Sequence, residues 1–102
     1  MIDKFRTYIG FAIKSKSIVY GVDNIESNLA KVCMVIIDKS LSDNSLNKLQ
    51  NVVSKANIKI FTIDNITLDE LLHTSNCKAI GLTSVNLASA IRELNLMSEV
   101  RN

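Results

Sequence analysis

The sequence predicts an α/β fold, a three-layer α-β-α sandwich with a mixed sheet of about four strands. Segments with helical spacing of apolar residues alternate with short β-branched runs, in the order α-β-α-β-α-β-α-β-α. Such alternation places helices on both faces of one sheet. A length of 102 residues and a hydrophobic content of 47% suit a single globular domain over residues 1–102.

A helix and a short strand open the chain. Ile2–Ile13 repeats apolar side chains on one face at helical spacing, which predicts the first helix. A polar stretch ends it, and the β-branched and aromatic run Ile18–Tyr20 predicts the first strand. Gly21 follows, and in a chain with three glycines and no proline it indicates a specific turn.

The second helix and the second strand come after that turn. We expect the helix to begin at Asp23 or Asn24, which are good capping residues, and to end near Asn28. The apolar run Val32–Ile37 is continuous and rich in β-branched residues. Its length and its lack of alternation predict a central strand that is buried on both faces.

The third helix begins after a polar stretch, with Ser42 or Asp43 as its cap. The short β-branched run Lys59–Ile63 predicts the strand that follows it. Four apolar residues at helical spacing form the predicted inner face of the helix: Leu46, Leu49, Val53 and Ala56.

A capping box predicts the fourth helix. The Thr67 hydroxyl can accept from the backbone N–H of Glu70, and the Glu70 side chain can reach back to Thr67. The helix is short and runs through Leu72. Cys77–Leu82 then predicts the last strand.

The last helix is capped by Ser84, and the chain after Met97 is expected to fray. No internal repeat, linker or low-complexity segment is present. The apolar stripe of this helix consists of Leu87, Ile91 and Leu94.

Few residues carry catalytic or metal-binding chemistry. His73 is the single histidine, and we expect it at the surface near a helix end. Cys33 and Cys77 lie in apolar runs without metal-type spacing, which favours buried, reduced structural thiols. The G-x-x-x-x-G-K-S/T and G-x-G-x-x-G patterns for phosphate binding are absent. We therefore expect no enzyme, no metal, no cofactor and no small-molecule substrate.

The net charge and the hydropathy of the chain limit the kinds of partner that we expect. The formal net charge is +2, which gives weak support for nucleic-acid binding, although the first sixteen residues are basic. Met1–Ile13 carries charges and lacks a cleavage site, so we expect no signal peptide. The longest apolar run is too short to cross a bilayer. We expect a cytoplasmic protein without a membrane partner.

The segment from Tyr20 to Ile25 is the most suggestive one for binding. It predicts a strand, a glycine turn and the start of a helix, where backbone N–H groups attract phosphate. The side chains of Asp23 and Asn24 could also hydrogen-bond base edges. Helix capping is the commoner reason for such residues at this place, so a purely structural role stays open.

Four blocks of the chain, in order and with matching spacing, resemble one family. They are Ile9–Gly21, Ala30–Asp38, Leu41–Ile63 and Ile80–Ile91, and together they lie within residues 5–94. The first is similar to a G-L-A-x-[KR]-A-x-K-[LV]-x-x-G opening, and the second to A-K-L-V-[LI]-[IL]-A-x-D. The family is the ribosomal protein L-seven-Ae / L-thirty-e superfamily, and the closest likeness is to its bacterial YlxQ-like branch.

The resemblance implies an α-β-α sandwich that binds kink-turn RNA. It also implies a ribosomal-protein-like module that is part of a ribonucleoprotein, with the ribosome as one possible partner. Family members contact RNA with the glycine turn, the helix after it and the loop before the last strand. Here that loop is 75–78, and Lys31 matches the lysine of an A-K pair. The expected RNA-binding residues are Lys14, Lys16, Gly21, Asp23, Asn24, Lys31, Asn76, Cys77 and Lys78.

Two departures from the family pattern support an alternative. The stretch between Gly21 and Lys31 is about four residues shorter than usual, which is one helical turn. Asp69 and His73 stand where the family has glycines that allow close approach to RNA. The alternative is a diverged homologue that has lost RNA affinity and serves as a protein-interaction or dimerisation module.

Overall fold

The computed structural model describes residues 2–74 and 76–100, so Ser75 of the predicted loop lies outside the described residues. In this part of the chain five helices alternate with five strands. The helices are α1 (Ile2–Lys14), α2 (Val22–Ser27), α3 (Asp43–Ser54), α4 (Leu68–Leu72) and α5 (Val85–Glu93). The strands are β1 (Ile18–Tyr20), β2 (Met34–Ile37), β3 (Ile60–Ile63), β4 (Ala79–Leu82) and β5 (Met97–Val100).

The strands form a mixed sheet in the order β1-β4-β2-β3-β5. The β2–β3 pair is parallel and the other three pairs are antiparallel. The predicted mixed α/β sheet is therefore confirmed, with five strands in place of about four. The additional strand is β5, so the prediction that the chain frays after Met97 is wrong for residues 97–100. Its pairing with β3, from Ile60 opposite Val100 to Ile63 opposite Met97, orders this segment.

Each face of the sheet is covered by helices, which confirms the three layers. One apolar cluster joins α1, α4 and α5 to the sheet, with Phe5, Ile9 and Ile91 fully buried. The other joins α2 and α3 to the opposite face through Ile25 and Leu49. Burial of each such side chain contributes roughly 1.5–3 kcal/mol. None of the described helices is long and apolar enough to cross a bilayer.

Helix starts follow the sequence signals, with one exception. Ser42, Thr67 and Ser84 each accept from a backbone N–H of the first turn, at 3.2, 3.1 and 3.3 Å, as predicted. The exception is α2, which begins at Val22 with Gly21 as its N-cap and has no side-chain cap. The expectation that α2 begins at Asp23 or Asn24 is wrong, because the turn at Gly21 starts the helix earlier.

Some predicted boundaries also shift. The second strand begins at Met34, not Val32, and the fourth begins at Ala79, so Cys77 and Lys78 lie in the preceding loop. Ala56 lies beyond the end of α3 and is exposed, because the helix ends at Ser54.

The register of the sheet divides the loops between two ends of the molecule. Tyr20, Ile37, Ile63 and Ala79 lie at one end, which we call the Gly21 end. The loops at this end are Gly21 itself, 38–42, 64–67, the described residues 73–74 and 76–78, and 94–96. The loops 15–17, 28–33, 55–59 and 83–84 lie at the other end, which we call the Lys31 end. A four-residue strand separates the two ends by roughly 10 Å, before the loops are added.

Candidate nucleic-acid interface

A solvent-open groove of about 310 Å³ lies at the Gly21 end, and we call it the corner groove. Four of the residues expected to bind RNA line it: Gly21, Asp23, Asn76 and Lys78. A neighbouring depression of about 280 Å³ shares Gly21 and Asn76 and adds Cys77. The glycine turn and the loop before β4 therefore meet at one surface, although they are more than fifty residues apart in the sequence.

The turn at Gly21 has a backbone conformation that only glycine adopts readily. Its φ is 88° and its ψ is 157°, a region where a side chain costs of order 1–3 kcal/mol. Its N–H donates to the Ala79 carbonyl at 2.8 Å, which ties the turn to β4. A Cβ atom at this position would meet no heavy atom within 4 Å. The glycine is therefore required by the backbone angle and not by crowding.

Asp23 forms an ion pair across the corner groove with Lys48 of α3. The Lys48 Nζ lies 2.7 Å from Asp23 Oδ1 and 4.0 Å from Glu26 Oε1. The hydrogen bond from Lys48 lowers the pKa of Asp23, and the same bond raises the pKa of Lys48. Both side chains are largely exposed, so the pair is readily exchanged for other partners. The contact of Lys48 with Asp23 could not be predicted from the sequence, because it joins residues 25 positions apart.

The Asn24 side chain stabilises the turn at Gly21. Its Nδ2 donates to the Tyr20 carbonyl oxygen at 2.7 Å, so the amide nitrogen spans the turn at Gly21. The side-chain oxygen is the atom of Asn24 that is left to accept from a ligand. The structure thus gives Asn24 a structural role in the turn, although the residue is exposed.

Asp69 holds residues 73–74 and 76–78 against α4. The Asp69 carbonyl accepts from Thr74 N–H at 3.1 Å, and its carboxylate accepts from Cys77 N–H at 2.9 Å. The same carboxylate lies 3.7 Å from the Lys78 Nζ. His73 and Asn76 take left-handed φ angles of 54° and 62° within this loop. Asp69 therefore orders the segment that carries Asn76.

A buried carboxylate supports the same end of the molecule. Asp38 is 5% exposed and accepts from the backbone N–H of Leu68 at 2.8 Å. Its other oxygen accepts from the Ser40 N–H at 3.1 Å and the Ser40 hydroxyl at 2.6 Å. Burial opposes ionisation, yet these hydrogen bonds and the charge of Lys78 hold the pKa of Asp38 below its usual value.

The thiols and the histidine show no reactive geometry. Burial raises the pKa of both Cys33 and Cys77, and both side chains are half-buried and free. His73 is exposed and ends α4, where the sequence analysis placed it. Among residues 2–74 and 76–100, no group of three or more His, Cys, Asp or Glu side chains could hold a metal ion.

Three of the expected lysines lie at the Lys31 end, away from the corner groove. Lys14 ends α1 and Lys16 follows it in the turn before β1, with a φ of 57°. Lys31 lies in the loop before β2, where its N–H donates to the Asn28 carbonyl at 2.9 Å. The structure therefore groups Lys78 with the glycine turn and places Lys14, Lys16 and Lys31 on a separate surface.

Comparison with known proteins supports the fold. A solved structure described as a protein with unknown function from Bacillus halodurans superposes with a TM-score of 0.78 at 16% identity. The match covers 89% of this chain and 95% of that chain. No family model matches the sequence. No curated protein matches it either.

Proposed function

We propose that this protein binds a structured RNA of the kink-turn type through the corner groove. The observation that carries the proposal is the meeting of the glycine turn and the Asn76 loop at one groove that is open to solvent. The family resemblance assigns RNA contact to these two segments. The groove also provides the groups that RNA recognition uses, which are carboxylate and amide acceptors, amide donors and lysines.

Each groove residue has a distinct role in this proposal. The Asp23 carboxylate accepts hydrogen bonds from N–H groups of an unpaired base edge, and the exposed Asn76 amide supplies both donors and an acceptor. Lys48 and Lys78 line the groove and contact phosphates. Lys48 supplies a cation beside the short helix α2, because α3 brings it to the same groove.

Binding requires an exchange of ion pairs. Lys48 must leave Asp23 for a phosphate, which frees the Asp23 carboxylate for a base. Both partners of this pair are exposed, so the exchange costs little in water. Lys78 is held by Asp69 at 3.7 Å and can add a phosphate contact without losing its place in the loop.

The second candidate function is a protein-interaction module without RNA affinity. It is favoured by the charge of the corner groove, where Lys48 and Lys78 are each neutralised by a carboxylate. Lys14, Lys16 and Lys31, which the RNA hypothesis also uses, lie at the other end of the sheet. Salt-dependent RNA affinity of the groove distinguishes the two candidates.

The test is a fluorescence titration of a kink-turn RNA and an unrelated hairpin of equal length at low salt. We expect tighter binding of the kink-turn. The Asp23→Ala, Asn24→Ala double variant should lower that affinity about tenfold or more, because each base contact contributes roughly 1–3 kcal/mol.

The matched control is Asp64→Ala, Asn65→Ala, which removes the same residue types from an exposed loop at the same end of the molecule. This variant should keep the preference for the kink-turn. Equal affinity of the native protein for the two RNAs would reject the proposal and leave the interaction module.

A further inference from the structure

The loops of the Lys31 end are basic. Lys14, which ends α1, and the loops 15–17, 28–33, 55–59 and 83–84 together contain five lysines and no aspartate or glutamate. We call this surface the basic pole. Its lysines are Lys14, Lys16, Lys31, Lys55 and Lys59, and all five are exposed.

In the described part of the chain, ion pairs between lysines and carboxylates are fewer at the basic pole than at the Gly21 end. Among the residues that the structure describes, only Lys59 of the five forms an ion pair, with Glu99 at 3.9 Å. Lys39, Lys48 and Lys78 at the other end each lie within 4 Å of a carboxylate. Four of the five pole lysines therefore carry a charge that no ion pair with a described carboxylate offsets.

The order of the strands spreads this charge along a row. Lys16 precedes β1, Lys31 precedes β2 and Lys59 precedes β3, and β4 lies between β1 and β2. Three strand spacings of about 4.8 Å place the outer two loops roughly 14 Å apart. A row of cations at this spacing suits a partner with regularly repeated negative charge more than a single small anion.

The exposed uncharged side chains of the pole are small or polar, which favours a polar partner. They are Ser15, Ala30, Ala56 and Asn57. The large exposed hydrophobic side chains near the pole are Phe11, Ile13 and Val85. Phe11 and Ile13 lie two positions apart on α1 and so do not share a helix face, and Val85 begins α5, so the three do not form the continuous apolar helix face that enters a bilayer. Lysines interleaved with serine and asparagine side chains are the groups that contact phosphate oxygens in nucleic-acid complexes.

We infer that the basic pole is a second binding surface, which contacts the phosphate backbone of a nucleic-acid duplex without reading its sequence. It lies at the end of the sheet opposite the corner groove and does not depend on the proposed kink-turn function. The partner is defined by its repeated phosphate charge, which RNA and DNA duplexes share.

The experiment measures affinity for labelled RNA and DNA duplexes of arbitrary sequence over a range of salt concentrations. The Lys14→Gln, Lys16→Gln, Lys31→Gln triple variant tests the pole. The control is Lys4→Gln, Arg6→Gln, Lys39→Gln, which removes the same charge from exposed positions outside the pole. Thermal unfolding shows that each variant is folded.

We expect the native protein and the control to bind with affinities that fall steeply with salt. If the pole variant loses three phosphate contacts, the ratio of its affinities at about 50 and 200 mM salt should be roughly fortyfold smaller than for the native protein. Equal salt dependence of the pole variant and the control would overturn the inference.

Two further measurements also decide the matter. Binding to vesicles with anionic lipid, without binding to either duplex, would overturn the inference in favour of a membrane surface. Sedimentation that shows head-to-tail self-association at low salt, lost in the pole variant, without duplex binding, would overturn it in favour of a second copy. The Asp23→Ala, Asn24→Ala variant should keep native duplex binding, so failure of the kink-turn proposal leaves this one standing.

Discussion

The three glycines of this chain differ in the effect that a side chain would have at each position. Gly21 has a φ of 88° that a side chain would strain, whereas Gly10 lies in α1 with open space around it. Gly81 lies in β4, an interior strand between β1 and β2, where a Cβ would lie 3.0 Å from the Val19 side chain. The backbone angle thus requires a glycine at position 21 and packing requires one at position 81, whereas neither requires one at position 10.

Alanine substitution should therefore act in opposite directions at two of these glycines. Gly21→Ala should lower the free energy of unfolding by of order 1–3 kcal/mol, because of the backbone conformation. Gly10→Ala should raise it by roughly 0.5–1 kcal/mol, because glycine is a poor residue in a helix interior. Urea unfolding of both variants checks the prediction, and a loss of stability in both would contradict it.

Asp38 is the one buried charged side chain among the described residues. Asp38→Asn replaces one acceptor oxygen by a donor within a buried set of hydrogen bonds to Leu68 and Ser40. We expect a loss of roughly 1–3 kcal/mol in the free energy of unfolding at neutral pH. Asp64→Asn is the control, since its carboxylate is exposed and paired with Lys39 at 3.7 Å. Equal losses in the two variants would show that the burial of Asp38 is unimportant.

The lowered pKa of Asp38 also predicts the direction of a pH effect. A carboxylate with a depressed folded-state pKa contributes stability that is fully present above its unfolded pKa of about 3.9. That contribution is lost as the pH falls through the folded-state pKa. The native protein should therefore lose stability below about pH 4 more steeply than Asp38→Asn, as measured by unfolding at a series of pH values.

At the scale of elements, local sequence signals predicted the helix caps but not the strand β5, which depends on long-range pairing. The caps at Ser42, Thr67 and Ser84 could be predicted because each bond joins residues three positions apart. β5 could not be predicted, because residues 97–100 have little β-pattern of their own. They become a strand since the edge of β3 offers unpaired backbone groups, and Met97 packs against the first apolar cluster.

The Ser84 cap of α5 allows a test of how much a local capping bond stabilises the protein. The Ser84 hydroxyl accepts from the Leu87 N–H at 3.3 Å, and α5 packs against α1 in the outer layer. Ser84→Ala should lower the free energy of unfolding by about 1 kcal/mol. Ser89→Ala in the same helix should change it by less than about 0.5 kcal/mol, since Ser89 is exposed and caps nothing. Urea unfolding that ranks the two variants in the reverse order would contradict the assignment.

At the scale of the whole molecule, the direction of the helices explains why charge is segregated. α1, α2 and α3 all run from the Gly21 end to the Lys31 end. Acids lie in their first turns, namely Asp3, Asp23 and Asp43. Lys14 lies in the last turn of α1 and Lys55 is the C-cap of α3, whereas Lys31 lies four residues beyond the end of α2. Both placements are favourable to helix dipoles. Parallel helices thus add their charge preferences and produce a basic pole in a protein with a net charge of only +2.

The expected binding residues divide between the two ends for a reason that lies outside local sequence. Gly21, Asp23, Asn76 and Lys78 meet at the corner groove because β1 and β4 are antiparallel neighbours. Lys14, Lys16 and Lys31 are separated from them because they lie beyond the opposite ends of β1 and β2. Periodicity identifies the strands, but their order and direction decide which loops share an end.

The sequence by itself determined the α/β class, the order of nine elements, three helix caps and most of the buried core. These features depend on spacing within a few residues, where side-chain periodicity and capping act. Only the tertiary structure decided the pairing of β5, the contact of Lys48 with Asp23 and the division of the lysines between two surfaces. Those features arise from contacts between distant segments, and the packing of the whole sheet fixes them.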